Sequence, residues 1–413
     1  MSFSHEFKKI SEGSKLFSGF AFKSKDFTSL GIPIIKIKNV NNRVVNFHDL
    51  DYYPENLVKK EHQKFFLKDK DVLIAMTGQG SVGRVGRITI NKKEKMLLNQ
   101  RVGKFITNNN VLDSDYLYHV ISSPQYEKIL FDRAIGSGQP NLSPDDILST
   151  EIPFPIIEIQ KKISKILNCI DIKIIINQKI NKNLEEQAQK IFRKYLIDYD
   201  KFLTSEIAKK IHPKIPAKWE HRNLTDISNY LNGLAMQKYP PKANDIGIPV
   251  LKIRELRQGF CNDSSDICSS NIENEYIIEN GDVIFSWSGS LLVDFWCGDK
   301  CGLNQHLFKV TSEKYDKWFY YLWTKFHLEK FIEIAKDKAT TMGHIKRKDL
   351  EDSDVIIPDK ITYGYFNNLF DPIFDKIICN RVESFKLSKI RNIMLPKLMS
   401  GEIDVSNISL NFK

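Results

Sequence analysis

The segment Gly31-Ile32-Pro33-Ile34-Ile35-Lys36-Ile37 returns later in the chain as Gly247-Ile248-Pro249-Val250-Leu251-Lys252-Ile253. Other echoes follow in the same order. Asp71-Val72-Leu73-Ile74 comes back as Asp282-Val283-Ile284-Phe285, and Leu98-Asn99-Gln100 as Leu303-Asn304-Gln305. Asp146 and Pro155 come back as Asp349 and Pro358. The offsets are 216, 211, 205 and 203. Kept order with drifting spacing is the mark of one folding unit used twice, with loops that have diverged.

From Asp146 onward the offset stays at 203, and the pattern turns helical. Ile163, Ile166, Ile170, Ile174, Asn177, Asn181, Leu184, Ala188, Ile191 and Tyr195 are three and four residues apart in alternation. Phe366, Leu369, Ile373, Ile377, Asn380, Ser384, Leu387, Arg391, Met394 and Leu398 repeat that spacing. Such a stripe stays on one face of a helix. Only Pro372 and Pro396 interrupt the second stretch. Each stretch allows a helix of about 35–40 residues, about 55–60 Å long at 1.5 Å per residue. Two such helices bury their stripes most economically against each other. Antiparallel pairing would then relate the two units by a pseudo-two-fold axis and set them at opposite ends. Asn177 and Asn380 hold equivalent stripe positions. They either fix the register of the seam from inside it or sit at its exposed edge.

The remaining segments mix β-branched runs (Ile32 to Val40, Val72 to Thr77, Arg84 to Ile90) with short helical stretches such as Tyr116 to Phe131. The reading is α/β (α+β), with two globular units in tandem at 1–155 and 201–357. Long helices are expected at 156–200 and 358–402, and a C-terminal tail at 403–413. His212-Pro213-Lys214-Ile215-Pro216 reads as a linker, because closely spaced prolines resist helix.

A chain of 413 residues exceeds what one core usually supports. With 42% hydrophobic and 11% aromatic residues, it has the material for ordinary globular cores. The net charge of +10 suits a polyanion such as DNA, although a Lys-rich composition also serves solubility. No apolar run reaches 18 residues, and MSFSHEFKKISEGSKLFSGF lacks the apolar stretch of a signal peptide. Six cysteines do not make a disulfide framework in a chain of this length. A cytoplasmic location without membrane attachment is therefore expected.

Catalytic motifs are scarce. Gly78-Gln79-Gly80-Ser81-Val82-Gly83 fits G-x-G-x-x-G, but it leads into a strand-like run and not a helix. A turn whose amides approach phosphate, or a structural hairpin, fits it better than a nucleotide site. Cys297 and Cys301 are spaced as a zinc pair would be, but the wider Cys261 and Cys268 gap fits poorly, so no metal site is assigned. Cys169 and Cys379 fall on the helices as packing residues. The Asn/Asp-Pro-Pro-aromatic tetrad of an amino-group DNA methyltransferase is missing. No nucleophile–base pair and no His-rich metal spacing stand out, so no catalytic residue and no cofactor are assigned.

The doubled pattern resembles the specificity subunits of type I restriction–modification systems along nearly the whole chain. The resemblance rests on the paired G-I-P openings, D-V-L-I-A-M-T-G-Q-G-S-V-G, the L-N-Q triplets and G-S-G-Q-P-N-L-S at 136–143. T-T-M-G-H-I-K at 340–346, E-I-Q-K-K-I-S-K-I-L at 158–167 and L-P-K-L-M-S-G-E-I at 395–403 add to it. It implies two target-recognition domains separated by antiparallel coiled-coil spacer helices. Each domain would read half of a bipartite target in double-stranded DNA, and the helices would set the spacer length. It also implies partnership with two modification (methyltransferase) subunits, with restriction subunits as an optional addition. This chain would itself be non-catalytic. It departs from the repeat in its second unit, where Cys261 to Asp266 and Leu291 to Lys300 match nothing in the first.

Base reading needs Arg or Lys for guanine and Asn or Gln for adenine, positioned by phosphate contacts. In the first unit Lys36, Lys38, Asn39, Arg84, Arg87, Gln100 and Arg101 qualify as DNA-binding candidates. In the second, Lys252, Arg254, Arg257, Gln258, Gln305, His306, His344, Lys346 and Arg347 qualify. Taken singly, each reads more readily as a solvated surface residue; the set as a whole carries the reading better than its members. An unrecognised enzyme and a purely structural helix-pairing protein are the alternatives to a DNA reader.

Overall fold

The computed structural model describes residues 6–91, 93–136, 140–198, 219–337 and 343–408. The chain forms two compact units, Met1–Ile172 with Ser388–Lys413, and Lys173–Leu387. The sequence-predicted linker at His212 to Pro216 lies outside the described residues, as do parts of the 136–143 and 340–346 motifs.

The first unit begins with β1 (Phe7–Lys9), β2 (Ser14–Ser18), β3 (Ile32–Ile35), β4 (Arg43–Val44) and β5 (Asp51–Tyr53). It continues through β6 (Val72–Ala75), β7 (Val85–Arg87), β8 (Leu97–Leu98) and β9 (Val102–Thr107) to helices α1 (Ser114–Ile121), α2 (Pro124–Arg133) and α3 (Pro144–Leu148). Strand β10 (Glu151–Pro153) leads into the long helix α4 (Ile157–Phe192), which ends in a π-helical turn at Arg193–Ile197. The sheets are ordered β2-β9-β6-β7-β4 and β5-β3-β8, with β1 paired to β10.

The second unit runs β11 (Glu220–Asn223), α5 (Leu224–Ile227), β12 (Asn229–Asn232), β13 (Ile248–Leu251), α6 (Ile253–Gln258) and β14 (Ile267–Cys268). Then come β15 (Ile277–Ile278), β16 (Val283–Ser286), β17 (Leu292–Phe295), β18 (Cys301–Leu303) and β19 (Leu307–Thr311). Helices α7 (Lys317–Phe326), α8 (Leu328–Asp337) and α9 (Arg347–Glu351), strand β20 (Asp354–Ile357) and the long helix α10 (Lys360–Ser400) complete it. Its sheets are ordered β12-β19-β16-β17 and β14-β13-β18-β15, with β11 paired to β20. Strand for strand this is the first unit again. Among the described residues only β4 lacks a counterpart, and β15 stands where the first unit has the bridge of Phe66 to Leu97.

The repeat goes down to single hydrogen bonds. In the first unit Asn99 N donates to Ile35 O (3.1 Å), Gln100 N to Phe20 O (2.9 Å) and Gly19 N to Val102 O (3.2 Å). In the second, Asn304 N donates to Leu251 O (3.2 Å), Gln305 N to Leu234 O (2.9 Å) and Gly233 N to Leu307 O (3.0 Å). This lacing presses a glycine against each L-N-Q loop. A Cβ on Gly19 would lie 2.2 Å from Asn99 O, and one on Gly233 2.3 Å from Asn304 O. Both obstacles are backbone atoms, so neither can swing aside.

The long helices contribute to both cores. In the first unit Ile163 and Leu167 of α4 and Leu395 and Leu398 of α10 pack with Leu117, Val120 and Ile147. In the second, Ala188 and Phe192 of α4 and Phe366, Phe370 and Ile377 of α10 pack with Trp318, Phe319 and Trp323. Helix α10 passes through Pro372 and Pro396 without a break. Within the second unit the seam between the helices is polar. Asn380 Nδ2 donates to Asn181 Oδ1 (2.8 Å), and Asn177 Nδ2 donates to Ser384 Oγ (3.2 Å). These two contacts are mates under the 203-residue offset. Asn177 and Asn380 are each 1% exposed, so both lie inside the seam and not at its edge. Register slip would strand buried amides, which favours this one alignment.

In the first unit a charged knot joins the sheet to the helices. Asp171 of α4 accepts from Arg43 Nη2 (2.8 Å) and from Arg391 Nη1 of α10 (2.6 Å). Arg43 also reaches Ser122 Oγ (2.7 Å) and His119 Nδ1 (2.9 Å), while His119 Nε2 donates to Asn168 Oδ1 (3.0 Å). Arg43 belongs to β4, the strand without a counterpart, and holds a left-handed backbone (φ 71°) that only surrounding contacts sustain. Burial pushes the Asp171 carboxyl up, but Arg43 and Arg391 outweigh it and hold the group at about 2. Burial, aided by Arg43, pushes the His119 imidazole down to about 3, so it stays neutral.

Three outcomes follow from this packing. Replacing Asp171 with Ala leaves two buried guanidinium groups unpaired and should cost about 3–5 kcal/mol in urea unfolding. The unfolded chain protonates His119 at its ordinary 6.5, whereas the folded chain resists until about 3. Its stabilising contribution is therefore complete above pH 6.5 and is lost at about 1.4 kcal/mol per pH unit as the pH falls towards 3. The difference between wild type and His119→Gln across pH 6.5–4 measures it. Gly233→Ala should destabilise the second unit by about 3 kcal/mol, because backbone must move to admit the methyl group.

Candidate nucleic-acid interface

Strands β3 and β8 run parallel, with Ile34 opposite Leu97 and Ile35 opposite Leu98. Their C-terminal ends therefore coincide, and Lys36 and Lys38 emerge beside Gln100 and Arg101. Strands β13 and β18 repeat the arrangement, with Leu251 opposite Leu303. There Lys252 follows β13 beside the turn that carries Gln305 and His306, while α6 carries Arg257 and Gln258 on towards Gly259, whose carbonyl lies against Gly298 before the start of β18. A third segment closes the site in each unit. Thr77, just past β6, bridges Asn141, and Ser288, just past β16, bridges His344. Gly78 N donates to Pro140 O (3.1 Å) and Leu142 N to Met76 O (2.8 Å). Their equivalents are Gly289 N to Gly343 O (2.9 Å) and Ile345 N to Trp287 O (3.1 Å). Each unit thus gathers three loop ends on one main-chain frame.

Most of the sequence-nominated residues sit on these frames. Lys36 pairs with Asp51 (2.8 Å) and lies over the Phe27 ring (4.1 Å); Lys38 is exposed and lies 3.8 Å from the same carboxylate. Lys252 pairs with Asp266, the second unit's version of that bond. Lys36 holds the Asp51 carboxyl below its ordinary range, and Lys252 does the same for Asp266. Gln100 and Arg101 are exposed at the L-N-Q turn. Arg84 is half-buried just before β7, where Ala75 N donates to Arg84 O (2.9 Å), and its charge acts on the Glu127 carboxylate. Arg254 is held by buried Glu255 (2.7 Å) and Ser264 O (3.1 Å). Arg257 is exposed, and Gln258 Nε2 donates to Phe260 O. His306 lies between Ser288 Oγ (3.2 Å) and Gln305 Nε2 (3.3 Å). Lys346 and Arg347 are exposed where α9 begins; Lys346 N donates to Asp349 Oδ2 (2.7 Å), as Ser143 N does to Asp146 Oδ2 (3.1 Å) in the first unit.

Two nominations fall elsewhere. Asn39 is 1% exposed, accepts from Lys36 N (3.0 Å) and donates to His48 O (2.9 Å), so its amide shapes the loop from within. Arg87 stands three residues beyond Arg84 on β7, at the far end of the strand. It donates to Asp115 (2.8 Å) and Asn168 (3.1 Å), as part of the knot against α4. The glycine-rich segment is a hairpin turn between β6 and β7. Its amides at Gly78, Ser81, Val82, Gly83 and Arg84 all donate to internal carbonyls, as in a structural hairpin. Burial pushes the Cys268 and Cys297 thiols up to about 11, and no group of three or more His, Cys, Asp or Glu fit to hold a metal gathers among the described residues. No described helix is long and apolar enough to cross a membrane.

Thr77, Asn141, Trp287 and Ser288 were not nominated from sequence, although all lie on the frame. An open cleft of about 420 Å³ is lined by Met76, Thr77, Gln100, Arg101 and Asn141. In the second unit Trp287 faces His306 (6.1 Å between ring centres) and His344 (6.3 Å), and its Nε1 donates to Asn232 Oδ1 (3.0 Å).

The model of the type I restriction modification DNA specificity domain matches residues 5–186 and again 216–385. The MjaIX type I restriction enzyme specificity subunit of Methanocaldococcus jannaschii is 28% identical over 86% of this chain and 82% of that protein. The EcoKI specificity subunit of Escherichia coli is 26% identical over 79% of this chain and 72% of its own length. A type I restriction–modification S subunit from M. genitalium shares the fold, with a TM-score of 0.56 at 15% identity over 96% of this chain and 97% of that one. With both copies of the domain matched and the same frame built twice, the chain belongs to the family of type I restriction–modification DNA specificity subunits.

Proposed function

We propose that this protein selects a bipartite sequence in double-stranded DNA, one half-site for each unit. As a specificity subunit it supplies recognition and not bond-breaking chemistry. The observation that carries the reading is the doubled frame, in which the same main chain presents different polar side chains. Lys36, Lys38, Arg84, Gln100 and Arg101 would face one half-site. Lys252, Arg254, Arg257, Gln258, Gln305, His306, His344, Lys346 and Arg347 would face the other. Cations that pair internally with Asp51 and Asp266 would exchange those partners for phosphates, which accords with the net charge of +10.

In this reading α4 and α10 act as the ruler between the half-sites and as the platform for two modification subunits, with restriction subunits joining the same complex. The gap-free offset of 203 supports a constrained helix length, because loops elsewhere drift. Ile176 and Ile180 on α4, and Ile390 and Ile393 on α10, stay exposed outside the seam, as a platform for protein partners requires.

Deleting one matched heptad from both helices removes about 10 Å, or about three base pairs of rise. The gap in the selected target should shorten by that amount while both halves keep their bases. An unchanged gap would remove the ruler role. Arg257→Ala should relax the half read by the second unit by about 1–3 kcal/mol and leave the other half intact, as selection from randomised DNA by the complex with its modification subunits would show.

A further inference from the structure

The two frames match in every hydrogen bond compared above, yet they carry different side chains, four of them around the cleft and its counterpart. Met76, Thr77, Arg101 and Asn141 in the first unit stand where the second has Trp287, Ser288, His306 and His344. Gln100 and Gln305 are the same residue at the same place. A constant scaffold with exchanged side chains is what a reader needs to accept different bases at one docking geometry.

We infer that these four positions determine which bases each unit accepts, and that the shared glutamine makes a contact common to both. The inference rests on the DNA-reading function proposed above and adds Met76, Thr77, Asn141, Trp287 and Ser288 to it. The Thr77 hydroxyl is the most telling. Its Oγ1 is shielded from water and has no hydrogen-bond partner, on the wall of the cleft that holds Gln100, Arg101 and Asn141. Leaving a buried hydroxyl without a partner is unfavourable. Turned towards the cleft, it would meet a base edge or a phosphate there.

The chemistry of the two sites differs accordingly. The first offers a guanidinium, an amide and a hydroxyl around an open cleft, a set suited to the polar edge of a purine. The second offers an indole flanked by two imidazoles, with the His306 ring held by Ser288 and Gln305. That surface suits an apolar base edge such as the thymine methyl group.

The test uses the full chain in complex with its modification subunits and DNA selected from a randomised pool. The fourfold exchange Trp287→Met, Ser288→Thr, His306→Arg and His344→Asn should change the bases of the second half-site towards those of the first, with the first unchanged. Thr77→Val covers the case in which that variant fails to assemble. It removes only the orphaned hydroxyl, so thermal stability should hold or rise, while affinity for the first half-site falls about tenfold. An assembled fourfold variant that keeps the wild-type second half, or a Thr77→Val protein of unchanged affinity, overturns the inference. A wild-type complex that selects a continuous target overturns the two-reader function itself, and this inference with it.

Discussion

The close approach of a glycine backbone to an L-N-Q loop, made once in each unit, is the constraint on which the rest of the site depends. At Gly19 and Gly233 a neighbouring carbonyl occupies the space a side chain would need. That approach lets Gln100 N and Gln305 N bond to the strand-end carbonyls of Phe20 and Leu234. It also sets the ends of β3 and β8, and of β13 and β18, side by side. Side chains on the loops can then vary without moving the main chain beneath them. This is a mechanical basis for changing specificity while keeping the fold.

The long helices meet a different demand. Their buried faces are not uniformly apolar. The second unit has an asparagine seam within its stretch of the pair, and the first has Asp171 clasped by two arginines. Each arrangement leaves buried polar groups stranded if the helices slide, so each trades some stability for a single alignment. The ruler role proposed for these helices would need that single alignment more than extra stability. The partners differ between the units because β4, which carries Arg43, occurs only in the first.

Much of this was legible in the residues. Repeated triplets with a drifting offset gave the doubling, and the three-four spacing gave both helices, because each signal is set by a local period that side loops do not disturb. Asn177 could be placed on the stripe, though sequence left open whether it was buried. Arg87 falls away from the frame because a strand carries its two ends to opposite ends of a sheet. Arg84 and Arg87 look alike in sequence but lie at different ends of β7. Asn39 is hidden because a short helical turn draws its amide inward. Asp266 was hidden as the counterpart of Asp51 because the second loop is one residue shorter, and its ion pair with Lys252 becomes visible only when β13 and β14 are paired. Thr77 carries no motif of its own; its partnership with Asn141 joins segments 64 residues apart in sequence.

The central claim is that two units of one chain read two separate pieces of DNA. It is tested most directly by methylation sequencing of DNA from a host that expresses this chain with its modification partners. The account predicts a split motif, two short defined halves around a fixed run of unread bases. A continuous motif, with no unread gap, would contradict it.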